Sequence, residues 1–457
     1  MTEAQEAVVV VGAGVCGLAV AHVLAQNGRK VVLLERNQAP GGLARSFRYG
    51  DYTFDIGPHR FHTENRDVGD YIRSILGNEA ISFPRISMVH FLGKYYQWPL
   101  RPSALLQFPP RMAMKIAADL ALNPFQKYDS DSFEDYVLRQ YGRTLYENFF
   151  LDYSEKFLKL HPGQTHADWA KVGINRAIID DKVQMRNVLE VVRSTLSHRD
   201  DTELQFLYPR TGMQTWCDMS AAAFVKAGGQ LFTGVKDFGL KHDGQKITGI
   251  SYEGHHWKVD QLVWTAPLHE ICNRLEVRPP RLKYLAMVMF NAEVKAQLPH
   301  KFQWCYFGDK SLIFNRISNN IHFSEELAPW GCCGLEIEVT CMEGDEVWEN
   351  PERLKARIIQ DLIQTKLIYF PSDVAQIHIE KIRHTYPIYS LDYRSQLKET
   401  NAGLKPWRNL ILAGRTGQFW YNNMDHSIGK ALSVAGKLLG QHRGEEGPMF
   451  GRENVDD

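Results

Sequence analysis

The chain has 457 residues, which exceeds one ordinary hydrophobic core and predicts two or three domains. Its hydrophobic fraction of 44% and charged fraction of 23% are typical of a soluble globular protein. Because 53 Lys and Arg residues balance 53 Asp and Glu residues, bulk charge gives no reason to expect a nucleic-acid partner, although a local basic site for a phosphate ligand stays open.

The seven cysteines are scattered along the chain, and no pair has C-x-x-C spacing. This pattern predicts free thiols in a reducing compartment, with neither a metal site nor a disulfide framework. The first ten residues, MTEAQEAVVV, carry acids rather than the basic segment of a signal peptide, and no apolar run reaches transmembrane length. We expect a cytoplasmic protein with no transmembrane segment, and peripheral contact with a membrane stays open.

The N-terminal residues predict a strand, a glycine turn, a helix and a second strand. The β-branched run at residues 8–11 is typical of a buried parallel strand, residues 18–27 have helical spacing, and residues 31–34 form the next apolar run. Farther along the chain, helical spacing at 64–77 and 130–160 predicts further helices.

The remaining segments alternate between irregular, strand and helix patterns. Residues 83–110 are rich in proline and aromatic side chains, so we expect an irregular stretch there. His255 and His256 are expected in a turn between strands. Later elements are expected as strands at 230–232, 247–252, 260–264 and 409–413, a second sheet region at 284–342, an amphipathic helix at 351–368 and a closing helix at 428–439.

A glycine-rich loop follows the first strand and fits the pattern G-x-G-x-x-G. Gly12 permits a tight turn, Gly14 lets the backbone approach a pyrophosphate, and Gly17 lets the helix pack on the strand. The helix then presents unpaired N–H groups to the phosphates. Glu35 ends the second strand, eighteen residues after Gly17, where a ribose-binding carboxylate belongs. The loop therefore predicts dinucleotide binding.

A second glycine motif follows, in the segment Pro40-Gly41-Gly42-Leu43-Ala44-Arg45-Ser46. Adjacent glycines expose backbone N–H groups to an anion, and Arg36 and Arg45 add positive charge. The segment resembles the glycine doublet of the amine oxidase and protoporphyrinogen oxidase superfamily of flavoproteins. That resemblance implies FAD, rather than NAD, as the cofactor.

Three distant segments resemble other FAD motifs of the same superfamily. Residues 208–213 resemble its P-x-x-G-M/Y turn, and a strand at Gly234-Val235 resembles the return to the flavin domain. In the segment 412–417, the resemblance places Gly414 at a strand end and aims Arg415 at the pyrophosphate or the flavin.

The resemblance implies an α/β fold, with a Rossmann-type (GR2-like) FAD-binding domain and a mixed α+β substrate domain. The chain would cross between the two several times. We expect FAD-binding segments at 1–80, 206–272 and 401–445, a mostly helical substrate or cap region at 81–205, a substrate domain with an antiparallel sheet at 273–400, and a tail at 446–457.

Two segments resemble UDP-galactopyranose mutase more closely. The loop Gly57-Pro58-His59-Arg60-Phe61-His62-Thr63 resembles the histidine loop of that family, whose second histidine lies against the flavin. The resemblance therefore places His62 at the flavin face and His59 in the cofactor site. Residues 313–317, followed by His322-Phe323, resemble the P-Y-T-R-I stretch, whose arginine clamps the substrate diphosphate, and this assigns the clamp to Arg316.

Residues 419–425, Tyr386 and Arg176 supply further candidates. Residues 419–425 resemble the mutase Y-x-Y-x-D-M-D motif, which places Tyr421 at the diphosphate and Asn423 and Met424 at the cofactor. Tyr386 resembles another tyrosine that contacts the diphosphate, and Arg176 resembles a second arginine of the clamp.

The resemblance implies that a nucleotide-diphosphate sugar is isomerised with no net redox change. In the mutases, reduced flavin N5 attacks the anomeric carbon, and the sugar ring opens and recloses. A diphosphate ligand requires guanidinium forks and phenolic donors, which the arginines and tyrosines named above would supply. His62 would order the flavin neighbourhood rather than act as a base.

Two residues depart from the mutase pattern, and the overall texture, including Trp264-Thr265-Ala266-Pro267, resembles the protoporphyrinogen-oxidase-like relatives more closely. Asn423 stands where the mutase motif has an acid, and Phe157 follows Glu155-Lys156 where the mutases have tryptophan. The alternative is an FAD-dependent oxidase or dehydrogenase acting on an amine, porphyrin or polyene substrate with O₂ or a quinone. A flavin-binding protein without catalysis is the third hypothesis. The oligomeric state is not predicted.

Overall fold

The computed structural model describes residues 6–98, 107–173 and 205–441. The predicted clamp residue Arg176 lies outside these residues. The strands are β1 (Glu6–Val11), β2 (Val31–Leu34), β3 (Ser46–Tyr49), β4 (Tyr52–Asp55), β5 (Ala80–Pro84), β6 (Ser87–Phe91), β7 (Lys94–Gln97), β8 (Gln205–Pro209), β9 (Gln230–Phe232), β10 (Gly239–His242), β11 (Ile247–Tyr252), β12 (His255–Trp264), β13 (Tyr284–Val294), β14 (Trp304–Phe307), β15 (Arg316–Asn319), β16 (Cys333–Cys341), β17 (Val374–Pro387) and β18 (Leu410–Leu412).

The helices occupy both halves of the chain and are numbered here within the described residues. They are α1 (Val15–Gln26), α2 (Arg66–Leu76), α3 (Pro110–Leu122), α4 (Phe133–Leu145), α5 (Leu151–Leu158), α6 (Asp168–Gly173), α7 (Met213–Lys226), α8 (Leu268–Arg274), α9 (Glu346–Glu349), α10 (Lys355–Gln364), α11 (Tyr393–Leu404), α12 (Gly414–Gly417) and α13 (Met424–Leu438). In the described ranges, none of them is long and apolar enough to cross a lipid bilayer.

The first sheet has the strand order β10-β11-β12-β1-β2-β9, and β18 pairs with β12. Strand β1 runs parallel to both of its neighbours, β12 and β2. Val8 and Val10 are buried against α1, α7 and α13 on one face of the sheet, and Val9 and Val11 are buried in the apolar cluster on its other face. Buried parallel strands need apolar residues on both faces, which explains the unbroken valine run. This sheet is the Rossmann-type unit that the sequence predicts.

The second sheet has the order β17-β13-β16-β15-β14-β6-β7 and is antiparallel except where β14 pairs with β6. Strands β6 and β7 lie inside residues 83–110, so the expectation of an irregular stretch is wrong over residues 87–97. Val89, Phe91 and Tyr96 are buried in strand periodicity, and Gly93 adopts a φ of +71° in the turn between the two strands. The proline and aromatic content of this segment obscured that short hairpin.

Several predicted boundaries shift. Helix α1 begins three residues before the expected start at Leu18, and α13 begins at Met424 rather than at Ile428. His255 and His256 belong to strand β12 instead of a turn, because β12 continues to pair with β11 there. Strand β9 ends at Phe232, so Val235 lies in the following loop rather than in a strand. The helix expected at 351–368 is shorter, since a 3-10 turn precedes α10.

Candidate cofactor and substrate site

Gly12 and Gly17 hold the first turn of α1 against the end of β1. A methyl group added to Gly17 would lie 1.9 Å from the carbonyl oxygen of Gly12, and Gly12 itself has a φ of +97°. The Thr265 hydroxyl donates to the carbonyls of Val11 and Gly12 and closes the turn from the β12 side. These two glycines therefore serve the packing of the helix on the sheet.

Gly14 faces the glycine doublet across an open space. A Cβ added to Gly14 would meet only the Cα of Gly42, at 3.9 Å. Gly41 N donates to Ala13 O at 2.7 Å, and positive φ angles of +122° at Gly41 and +58° at Gly42 turn the doublet around the end of α1. The two glycine segments thus form a cradle at the helix N-terminus, where backbone N–H groups attract an anion.

Glu35 is fixed at the end of β2 by donors from both sides. One carboxylate oxygen accepts from Ala13 N at 2.7 Å, and the other accepts from Asn37 N at 2.9 Å and from Asn37 Nδ2 at 2.7 Å. Arg36 pairs with Glu270 at 2.6 Å, and its side chain is half exposed. At the end of β2, next to the cradle, the Glu35 carboxylate is therefore held in one orientation, and the charge of Arg36 is balanced by Glu270.

A cavity of about 1590 Å³ runs along this cradle. Ligand sites of drug-sized molecules occupy about 300–1,000 Å³, so the cavity has room for a dinucleotide together with a second ligand. Gly17 packs in the helix and is absent from the lining. The predicted residues that line the cavity are Gly12, Gly14, Glu35, Arg36, Gly41, Gly42, Arg45, His59, His62, Val235, Gly414, Arg415, Asn423 and Met424.

Arg415 lines this cavity with buried donors that the described residues do not satisfy. Its Nε and one terminal nitrogen, Nη2, have no hydrogen-bond partner there, and Nη1 reaches only Asn422 O, at 3.5 Å. The guanidinium lies 4.8 Å from the ring centre of Tyr386 and 4.6 Å from that of Tyr421. Unsatisfied buried donors cost free energy, and an anionic ligand would satisfy these. The cradle and Arg415 together fit the pyrophosphate of FAD.

The predicted substrate residues Arg316, Tyr386 and Tyr421 lie together beside Arg415. Arg316 Nη2 donates to the Tyr386 hydroxyl at 3.0 Å, and the rings of Tyr386 and Tyr421 are 5.4 Å apart. Trp169, which the sequence reading did not single out, stacks on Tyr421 at 4.9 Å. Arg316, Tyr386 and Tyr421 do not line the large cavity themselves. They adjoin it through Arg415, which does line it.

The fork of Arg316 is engaged by a buried carboxylate. Nε lies 2.7 Å and Nη2 lies 2.9 Å from the two oxygens of Glu338, which is directly opposite on β16. Burial alone would lower the pKa of Arg316, but Glu338, Tyr386 and Tyr306 together raise it well above its usual value. Arg316 therefore offers a ligand its remaining Nη1 rather than a free bidentate fork.

The histidine loop packs directly on this ion pair. Gly57 has a φ of +77°, and a Cβ there would lie 2.7 Å from a Glu338 oxygen. Burial, followed by the charges of Arg415, Arg316 and Arg60, lowers the pKa of His59 to about 3, so its ring is neutral near neutral pH.

The two histidines of the loop face different surroundings. The Nδ1 of His59 is buried without a hydrogen-bond partner in the described part of the chain. His62 lines the cavity and contacts Phe206 edge to face at 5.5 Å. The position of the flavin-facing histidine relative to a bound flavin stays a prediction.

Asp55, at the end of β4, connects β3, β8 and the start of α7 to strand β16 of the second sheet. Its carboxylate accepts from Ser46 Oγ at 2.5 Å, from Tyr208 Oη at 2.6 Å and from Met213 N at 3.1 Å. Its backbone N–H donates to Glu336 at 2.7 Å. Burial raises the pKa of Asp55 to about 6, against the three hydrogen bonds, which lower it. The pKa of Glu336 is also raised, by burial first and then by Asp55.

Asp55→Asn is expected to change how stability depends on pH. The folded state holds the Asp55 proton more tightly than the unfolded chain, so this contribution is complete below about pH 3.8 and is lost as the pH rises through about 6. The stability of wild type relative to the variant should therefore fall by about 1–3 kcal/mol across that window. Urea unfolding at several pH values measures it, with exposed Asp51→Asn as the control. If the difference in unfolding free energy between wild type and Asp55→Asn does not change with pH, the pKa of Asp55 is not raised in the folded state.

Residues 10–75 match a family model described as an NAD(P)-binding Rossmann-like domain. The chain is 29% identical over 176 residues to the probable UDP-galactopyranose mutase of Klebsiella pneumoniae, covering 36% of this chain and 44% of that protein. It is 26% identical over 180 residues to the dTDP-fucopyranose mutase of Escherichia coli, covering 36% and 45%. It is also 42% identical over 73 residues to the L-amino acid oxidase Cdc18 of Crotalus durissus cumanensis, covering 16% and 15%. The matches span less than half of these relatives.

Two solved structures share the fold over nearly the whole chain. The crystal structure of reduced UDP-galactopyranose mutase superposes with a TM-score of 0.80 at 21% identity, covering 95% of this chain and 96% of that one. A putative protoporphyrinogen oxidase from Exiguobacterium sp. 255-15 gives 0.72 at 16% identity, covering 95% and 99%. At this identity the likeness concerns the fold, and it confirms the predicted Rossmann-type architecture.

Proposed function

We propose that this chain, an enzyme of the FAD-dependent amine oxidase superfamily with FAD as its cofactor, isomerises a nucleotide-diphosphate sugar. The observation that carries the proposal is the grouping of Arg316, Tyr386 and Tyr421 beside Arg415, at the edge of a cavity that can hold FAD. Guanidinium and phenol groups are the donors that a diphosphate requires.

The cofactor would lie along the glycine cradle. Gly14, Gly41 and Gly42 would surround its pyrophosphate, and Glu35 would accept from a ribose hydroxyl. When bound and reduced, the flavin supplies a nucleophile at the sugar, so that the reaction proceeds without net oxidation.

The chain's own residues would bind and orient the substrate. The Tyr386 and Tyr421 hydroxyls and Arg316 Nη1 would donate to phosphate oxygens, while Trp169 and the two tyrosine rings form an aromatic wall that limits water. His59 stays neutral beside three arginines, so it adds no further positive charge at neutral pH. The UDP-galactopyranose and dTDP-fucopyranose mutases that this chain resembles support a nucleotide sugar as the substrate class.

An oxidase acting on an amine or apolar substrate is the second candidate. It is favoured by the Glu338 carboxylate, which already compensates Arg316, and by the aromatic wall of Trp169, Tyr386 and Tyr421. The similarity to an L-amino acid oxidase is consistent with it. This reaction would consume O₂ or a quinone, whereas the isomerisation would not.

A binding screen tests the substrate class. The purified flavoprotein is reduced with dithionite under argon and titrated with a panel of UDP-, dTDP- and GDP-sugars, with free sugars and free nucleosides as controls. We expect saturable binding of at least one nucleotide sugar and none of the free sugars, because the diphosphate provides the charged contacts. Absence of binding across the panel, with amine substrates reducing the oxidised flavin, would instead establish the oxidase function.

A further inference from the structure

Arg60, in the histidine loop, is a cation that lines the cavity without a carboxylate partner in the described part of the chain. Its one protein hydrogen bond there runs from Nη1 to Pro58 O at 3.1 Å. The guanidinium lies 4.6 Å from the ring centre of Trp304 and 5.2 Å from that of Phe206. The rings hold the guanidinium by cation–π contact, and its other N–H groups remain available to a ligand.

The charges around Arg60 leave it undercompensated. Burial lowers its pKa to about 10. Tyr306 opposes this effect, Arg85 and Arg316 lower the pKa further, and Asp425 raises it least. A partly buried guanidinium among other arginines is stabilised when an anion supplies the missing counter-charge. The cavity that Arg60 lines is the route by which such an anion would reach it.

Arg60 and Arg316 lie over neighbouring positions of one sheet face. Trp304 and Tyr306 are two residues apart on β14 and therefore point to the same side of the sheet. Arg316 is opposite Tyr306 on β15, with its guanidinium 5.8 Å from that ring, while Arg60 covers Trp304. Two positions along a strand are about 7 Å apart, so the two guanidinium groups flank one site.

Arg316 and Arg60 differ in whether a nearby carboxylate balances their positive charge. Glu338 neutralises Arg316 through two hydrogen bonds, whereas Arg60 has no such partner among the described residues. We propose that Arg60 is a further arginine of the diphosphate clamp, in addition to Arg316 and the predicted Arg176, and that it supplies the positive charge that Glu338 neutralises at Arg316. This inference rests on the proposed function and names the residue that would hold the second phosphate of the nucleotide sugar.

The test compares UDP, uridine and inorganic pyrophosphate binding to the holoenzyme by calorimetry. Arg60→Met places an unbranched apolar side chain beside Trp304 and Phe206 and removes the charge, so UDP affinity should fall about 10- to 100-fold. Arg60→Lys should recover part of that loss, because an ammonium keeps the charge without the fork. Uridine affinity and flavin content should not change. The control is Arg66→Gln, a side chain that is 93% exposed and outside the cavity lining, which should bind UDP as wild type does.

The outcomes separate the inference from the function on which it rests. If wild type binds UDP and Arg60→Met binds it equally well, Arg60 is not the clamp, and the proposed function stands. If Arg60→Met loses flavin, Arg60 belongs to the cofactor site and the inference is overturned. If wild type binds neither UDP nor pyrophosphate in either flavin redox state, the proposed function and the inference fall together.

Discussion

Gly14→Asp is expected to give a folded but colourless protein. The backbone at Gly14 is extended (φ −73°), and the nearest protein atom to an added Cβ is 3.9 Å away, so the side chain is accommodated. Aspartate is moreover a favourable residue at a helix N-cap. Its carboxylate would stand where a pyrophosphate approaches, and like charges about 4 Å apart repel by about 4 kcal/mol near a protein surface. FAD affinity should therefore fall on the order of 100- to 1000-fold.

Two matched substitutions control for this result. Gly14→Ala adds a methyl group without charge and should keep part of its flavin. Gly17→Ala should instead reduce the yield of folded protein, because its methyl group would lie 1.9 Å from a backbone oxygen. The measurement is the flavin absorbance per protein, together with circular dichroism. Full flavin content in Gly14→Asp would show that this loop does not hold the cofactor.

Arg316→Ala is expected to destabilise the protein by about 3–5 kcal/mol, because it leaves the Glu338 carboxylate buried and unpaired. Adding Glu338→Gln should restore most of that loss, since the double variant contains no uncompensated charge. Denaturant unfolding of the wild type, both single variants and the double variant measures the coupling between the two residues. Equal losses in the single and the double variant would contradict the pairing.

The double variant also isolates the role of Arg316 in binding. With the fold restored, the remaining effect on UDP affinity reports the contact through Nη1. One charge-assisted hydrogen bond contributes about 1.5–3 kcal/mol, which is roughly 10- to 100-fold in affinity. Unchanged UDP affinity in the folded double variant would assign Arg316 a purely structural role.

The cofactor half of the site could be predicted because it depends on local backbone geometry that requires glycine at fixed positions. Positive φ angles or close approaches exclude other residues at Gly12, Gly17, Gly41 and Gly42. The spacing of these glycines can therefore be recognised in the sequence. Glu35 follows from the same unit, since it ends the next strand.

The substrate half depends on contacts between distant strands, which one sequence does not reveal. Glu338 alternates with apolar residues in a pattern typical of a solvent-facing side chain, yet β16 is buried on both faces and its carboxylate pairs with Arg316. Arg60 belongs to the histidine loop, but the orientation of its side chain depends on Trp304 and Phe206, which lie on separate strands. Tertiary packing decides such roles.

In the proposed reaction, the reduced enzyme interconverts a nucleotide sugar without net oxidation. The most direct measurement follows sugar products by chromatography and O₂ by electrode, in parallel, with the nucleotide sugar that binds best. We expect isomer formation only after dithionite reduction, no formation by oxidised enzyme, and no sustained O₂ consumption attributable to turnover. Steady O₂ uptake with one flavin reduction per substrate consumed, and no isomer, would contradict the claim and establish an oxidase.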